Sequence, residues 1–248
     1  VPYGPKGIPV EGFEYEEKVG EDHENFLWGN AAYALGQRIT NAFALYKWCA
    51  AIRGVEGGGL VENLPFYTFK TSEGDIAIKC PTEVAITDRR ENELSELGFI
   101  TLCYKKNSAQ AAFFGGSTAN KPKTYNLASA NANARLSAQL PYILAASRFA
   151  HYIKVMMRDK IGSFATREGV ANYLNNWIAD YVLLNDSAGQ ETKARLPLRE
   201  ARVDVTEVPG KPGAYRAVVF LKPHFQLNEL SGVDAARGRS SPACRLKW

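Results

Sequence analysis

The chain is poor in the residues that metal and redox chemistry draw on. It has 4 cysteines, 3 histidines and 2 methionines in 248 residues. Cys49, Cys80, Cys103 and Cys244 stand far apart with no CxxC pair, which argues against a zinc knuckle or a dithiol centre. The first three sit in apolar segments and read as reduced core residues. His23, His151 and His224 stand singly, none at ligand spacing from another histidine or a cysteine. No metal and no cofactor is expected. Long apolar runs are also missing: no stretch approaches the ~18 residues of a membrane-spanning helix, and no signal peptide is recognisable. A cytoplasmic protein without membrane insertion is the expectation. Charge of one sign is not in large excess either, with 30 Lys and Arg against 26 Asp and Glu, a net +4. Most of that surplus lies in the tail, on Arg237, Arg239, Arg245 and Lys247. A near-neutral body argues against a dedicated nucleic-acid surface, which needs clustered cations.

What is present is a foldable chain, 46% apolar and 23% charged. Residues 1–27 read as a Pro/Gly-rich extended arm. Ala31 to Ile52 has helical spacing, ended by Gly54 and the run Gly57-Gly58-Gly59. That run lacks the Gly-Lys-Ser/Thr end of a phosphate loop and follows a helix rather than a strand, so it reads as a turn. Leu60 to Phe69, broken by Pro65, is a loop or short strand. Ile76–Lys79 and Val84–Ile86 are strand candidates. Thr87 or Asp88 caps a short helix that Gly98 stops, with Glu91 outlining a capping box. Phe99–Tyr104 and Gln110–Phe114 are short β segments.

A long helical stretch follows from about Ala128 to Ile161. Its apolar stripe reads Leu136, Leu140, Ile143, Leu144, Ser147, Ala150, Ile153 and Met157, with Pro141 marking either a kink or a true first turn. Thr166 caps a second helix with apolar positions Val170, Tyr173, Leu174, Trp177, Ile178 and Tyr181. Ser187–Arg195 reads as a polar loop. The alternation through Ala201, Val203 and Val205, then Tyr215, Ala217, Val219 and Leu221, across Pro209–Gly213, predicts a hairpin. The fold class is therefore mixed α/β (α+β): small mixed sheets flanked by long helices, with a C-terminal hairpin. A sub-boundary is placed near residues 105–123.

No catalytic constellation emerges, and an enzyme is not expected. The candidate functional surface is the charged stretch of the long helix, Arg148, His151, Lys154, Arg158, Asp159 and Lys160, read as a protein-facing contact. A hairpin with an open edge offers a second possibility, a peptide-binding α+β module acting by strand addition.

Several phrases resemble the large sheath subunit of the bacterial type VI secretion system, the TssC/VipB family. They are Gly57-Gly58-Gly59-Leu60-Val61-Glu62-Asn63-Leu64-Pro65, Cys80-Pro81-Thr82-Glu83, Thr87-Asp88-Arg89-Arg90-Glu91 and Leu97-Gly98-Phe99-Ile100. Ala112-Phe113-Phe114-Gly115, Lys121-Pro122, Leu140-Pro141-Tyr142-Ile143 and Arg148-Phe149-Ala150-His151-Tyr152-Ile153-Lys154 continue the match. Arg158-Asp159-Lys160-Ile161-Gly162, Trp177-Ile178-Ala179-Asp180-Tyr181-Val182 and Leu221-Lys222-Pro223-His224-Phe225-Gln226-Leu227 complete it. The resemblance is to that subunit's C-terminal half. It implies a non-enzymatic block that needs no cofactor. Its implied partners are a small sheath subunit (TssB/VipA family), sister sheath subunits, the Hcp inner tube and the baseplate. On this reading residues 28–230 form the sheath-core region. Residues 231–248 form a disordered or foreign tail that lacks the alternating strand the family resemblance leads one to expect.

Overall fold

The computed structural model describes residues 25–159, 166–185, 187–210 and 215–224, and the backbone of 244–247. The arm up to residue 24 and Lys160 lie outside the described residues. The chain divides into two compact units, residues 1–41 with 52–119, and residues 42–51 with 120–248.

Helix α1 (Ala31–Tyr46) belongs to the first unit up to Asn41 and to the second from Ala42 on; it starts behind Asn30, whose Oδ1 accepts the Ala32 N–H at 2.9 Å. It stops short of the expected Ile52 because Lys47 takes a left-handed φ of 64°. Its Ala31, Ala34 and Leu35 pack on a core of Val61, Leu64, Leu102, Ala111 and Phe113. That core is carried by an antiparallel sheet of β1 (Leu60–Val61), β5 (Ala111–Phe113) and β4 (Leu102–Tyr104), in that order. The glycine run is a π-helical turn, Val55–Gly59, and its reason is steric. A Cβ on Gly59 would lie 2.6 Å from the Phe113 carbonyl oxygen and 2.7 Å from Arg53 Cα, both backbone atoms that cannot swing away. Gly58, at φ 92°, supplies the left-handed step.

Strands β2 (Thr68–Lys70) and β3 (Ile76–Ile78) form a separate antiparallel hairpin. Val84–Ile86 is not a strand; the Thr82 hydroxyl donates to the Val84 carbonyl at 3.0 Å and turns the chain there. Helix α2 (Asp88–Glu96) ends as expected at Gly98, φ 94°. Its capping box does not form. Thr87 holds the N-cap position without a side-chain cap bond, so Glu91 is the fourth helical residue, one beyond the position that reaches back.

The second unit holds α3 (Ala128–Ser137), α4 (Leu140–Asp159), α5 (Arg167–Ala179) and α6 (Gln190–Arg195). The expected long helix is thus two, and Pro141 sits in the first turn of α4, where its missing N–H costs nothing. The buried residues of α4 are Pro141, Tyr142, Ala145, Phe149, Ala150 and Ile153; Ala150 and Ile153 belong to the predicted stripe, whereas its Ile143 and Ser147 face outward. Thr166 caps α5 as predicted, accepting the Gly169 N–H at 3.2 Å, and Val170, Leu174 and Ile178 form its buried row. The segment read as a polar loop contains α6, held in part by a Glu191–Arg195 pair at 3.0 Å.

The predicted hairpin is β6 (Leu198–Glu207) with β7 (Tyr215–Pro223), registered Val203 to Val219. Its inner face, Val203, Val205, Val219 and Leu221, closes one core with α4 and α5. Phe149 is fully buried there, stacked on Trp48 at 4.4 Å and edge-on to Tyr181 at 5.5 Å. A four-residue strand β8 (Cys244–Lys247) pairs antiparallel with β7, against the expectation of no strand after Leu230. The fold is mixed α+β with small sheets, long helices and the β6–β7 hairpin.

Candidate subunit-contact surface

Helix α4 presents two neighbouring rows to solvent. His151, Lys154 and Arg158 fall at i, i+3 and i+7 on one of them, all exposed. Tyr152, Val155 and Asp159 form the other, with Tyr152 41% and Val155 38% exposed. Two aromatic or β-branched side chains thus lie beside three basic ones on the exposed side of α4. The sequence reading found the basic row and missed Tyr152 and Val155. The buried Phe149 and Ile153 fix the helix's orientation: Tyr152 lies at the flank of their face, 6.3 Å from the Trp177 ring, and Val155 further round.

Arg148 behaves differently from the rest of the predicted set. Its guanidinium lies 4.5 Å from the Trp48 ring centre, 5.0 Å from that of Phe43 and 5.3 Å from that of Tyr152. Nη1 donates to the Lys47 carbonyl and Nη2 to the Tyr152 hydroxyl at 3.2 Å. It therefore satisfies a carbonyl left over at the end of α1 and fixes Tyr152 on the surface. The same cation opposes the effect of burial at Cys49, whose thiol pKa is nonetheless pushed up by desolvation.

A second charged cluster sits on α2. Arg89 pairs with Glu93 at 3.1 Å, both well exposed, a contact worth little to stability. Glu91 turns inward instead. Its carboxylate is close enough to Gly115 that a Cβ there would lie 2.8 Å from Oε1. Burial raises its pKa, with Arg53 pulling the other way and Asp88 adding to the rise. The Cys103 thiol is likewise pushed up, first by burial. Among the described residues no three His, Cys, Asp or Glu side chains are grouped to hold a metal ion, and no helix is long and apolar enough to cross a membrane.

The edges of the hairpin sheet are largely taken. β8 lies along β7, and Leu198 at the start of β6 exchanges backbone bonds with Tyr181 and Leu183 at 3.2 and 2.8 Å. Further along β6, the Asn175 side-chain amide accepts from the Val203 N–H and donates to its carbonyl, each at 2.9 Å. One side chain thus does the work of an edge partner at that point. His224 is tied by its backbone N–H to the Pro197 carbonyl at 3.0 Å.

Two family models match in chain order. Residues 1–120 match the EvpB/VC_A0108 tail sheath N-terminal domain, and residues 129–233 match the EvpB/VC_A0108 tail sheath gpW/gp25-like domain. The chain belongs to the EvpB/VC_A0108 tail sheath family. Type VI secretion system sheath protein TssC1 of Pseudomonas aeruginosa is 48% identical over 233 residues, which cover 93% of this chain and 47% of that protein. The chain spans about half the length of the curated relative it matches. In this tail sheath chain the two matched domains meet between residues 120 and 129, next to the boundary between the two compact units after Ala119.

Proposed function

We propose that this chain is part of the large structural subunit of a type VI secretion contractile sheath, contributing its C-terminal half and acting in the cytoplasm. The observation that carries the reading is the pair of tail sheath domains matched in order over most of the chain. In this reading it assembles with a small sheath subunit of the TssB/VipA type and with sister subunits around an Hcp tube mounted on a baseplate. Its work is mechanical. Many moderate protein contacts exchange between two lattice packings, and contraction drives the inner tube outward, with no reactive side chain needed. The exposed face of α4, His151, Lys154, Arg158 and Asp159 with Tyr152 and Val155, is the proposed contact with a neighbouring subunit or the tube. The residues 231–248 are proposed to lie outside the sheath-core region.

The test is co-expression of the full-length subunit bearing this segment with its small sheath partner, followed by electron microscopy. Hollow tubes are expected. A folded, soluble subunit that stays unassembled beside its partner contradicts the proposal.

A further inference from the structure

Among the described residues both outer edges of the β2–β3 hairpin are unpaired, and the two differ in character. Lys79 N–H donates to the Tyr67 carbonyl and Thr71 N–H to that of Asp75, both at 2.8 Å. With Phe69 opposite Ala77 and Lys70 opposite Ile76, the alternation turns the N–H and C=O groups of Ile76 and Ile78 away from β2. Among the described residues no strand pairs with that edge, and the sheet stays two-stranded. The outer edge of β2 carries Lys70, a charge that discourages pairing, while β3 carries no charge within its length. One face of the hairpin is covered, since Phe26 meets Tyr67 edge-on at 4.7 Å and the Lys79 ammonium sits 5.9 Å from the centre of the Phe26 ring. The other face bears Ile78 and Ile76, the latter 72% exposed.

The edge reads Asp75-Ile76-Ala77-Ile78-Lys79, a sequence whose polarity is complementary to itself when reversed. We propose that β3 is a self-pairing edge, at which two copies of this chain join antiparallel with Ala77 at the centre. In that register Ile76 of each copy stands opposite Ile78 of the other, and the groups turned outward on both are the ones that meet in hydrogen-bonded pairs. Asp75 of each copy stands opposite Lys79 of the other, a favourable cross-strand charge pair. Sliding by one residue sets outward groups against inward ones. Sliding by two leaves Asp75 opposite Pro81 and Lys79 opposite Ala77. Sliding by two the other way sets Lys79 opposite Glu73, which lies in the β2–β3 turn beside Gly74 (φ 89°) and not on an extended strand. Charge, hydrogen bonding and the position of the turn together select one register, and the product is a four-stranded sheet ordered β2–β3–β3–β2.

Such a contact uses the same patch on both copies and closes on itself. It cannot be repeated along a tube whose subunits all point one way. The dimer is thus a species of the unassembled chain, and the inference goes beyond the sheath reading without resting on it.

Sedimentation velocity of the whole chain, with no partner present, over roughly a hundredfold range of concentration tests it. A monomer–dimer equilibrium is expected. Ile78→Pro removes an N–H that points outward, leaves the β2–β3 bonds in place, and weakens the dimer at least about tenfold. Asp75→Lys also weakens it, and the double exchange Asp75→Lys with Lys79→Asp restores it. A chain that is monomeric throughout the range overturns the proposal. So does a dimer indifferent to Ile78→Pro with the circular dichroism unchanged. Should the proline variant unfold, the charge exchange decides: a double variant that regains nothing overturns it. Absence of tubes with the small partner would count against the sheath reading alone.

Discussion

Replacing Phe149 by alanine tests the packing of the second unit most sharply. The ring is fully buried, stacked on Trp48 at 4.4 Å, and meets Tyr181 and Trp177 at 5.5 and 6.0 Å. Phe→Ala in a close-packed core costs about 3–5 kcal/mol, transfer and cavity terms together. The aromatic contacts place Phe149→Ala near the top of that range, because each such pair adds about 0.5–1.5 kcal/mol beyond area alone. The sequence stripe put Ile143 in the core instead, but the side chain is 38% exposed. Ile143→Ala should therefore cost clearly less, about 1–2 kcal/mol. Urea unfolding followed by tryptophan fluorescence gives both values, since Trp48 and Trp177 report on the unit directly. Hydrogen exchange on β6 and β7 checks that the loss is local. Equal costs for the two variants, or a larger cost at Ile143, would refute the assigned face of α4 and with it the exposure of Tyr152 and Val155.

Other outcomes follow from single contacts. Gly59→Ala should destabilise by about 2 kcal/mol or more, because backbone atoms confront the new Cβ, whereas Gly36→Ala, with open space around it in α1, should stabilise by about 0.5–1 kcal/mol; thermal melts distinguish them. Asn175→Leu should cost about 1–3 kcal/mol by leaving the Val203 amide and carbonyl without their partner, read by exchange of that amide. Glu91 has a folded-state pKa raised by burial, so the folded state holds its proton more tightly than the unfolded one. The stability this contributes is full below the ordinary carboxylate range and is lost as pH rises through the raised value. Compared by urea titration at several pH values, Glu91→Gln should therefore gain on the wild type as pH rises through that window. A difference that does not change with pH contradicts the assignment.

The sequence was most informative where a local rule acted alone. Thr166 capping α5, the period of Val170, Leu174 and Ile178, the Gly98 stop and the β6–β7 alternation each follow from propensity and spacing. It misled in α4, which has apolar residues on more than one side. There the buried face is chosen by Trp48, distant in sequence, and by the β6–β7 sheet, so periodicity alone placed Ala150 and Ile153 rightly but Ile143 and Ser147 wrongly, and missed Phe149. Helix α6 is too short for a periodic signal, although the i,i+4 pair Glu191–Arg195 was there to be seen. The glycine run was legible as a turn, but the close approach of Phe113 that requires Gly59 is a tertiary fact. The basic row on the exposed side of α4 was readable from charge. The capture of Arg148 by Lys47 and three aromatic rings was not, since two of those rings and that carbonyl come from another segment.

The central claim, that this chain grips neighbouring subunits in a sheath, is tested most directly by footprinting the α4 face. Lysine and histidine labelling of the full-length subunit, before and after it is mixed with its small partner, reports on Lys154 and His151. The account predicts fast-sedimenting tubes in which both positions are strongly protected. Tubes that leave both labelled as before would contradict the assigned face, and a mixture that never sediments faster than its separate components would contradict the sheath role itself.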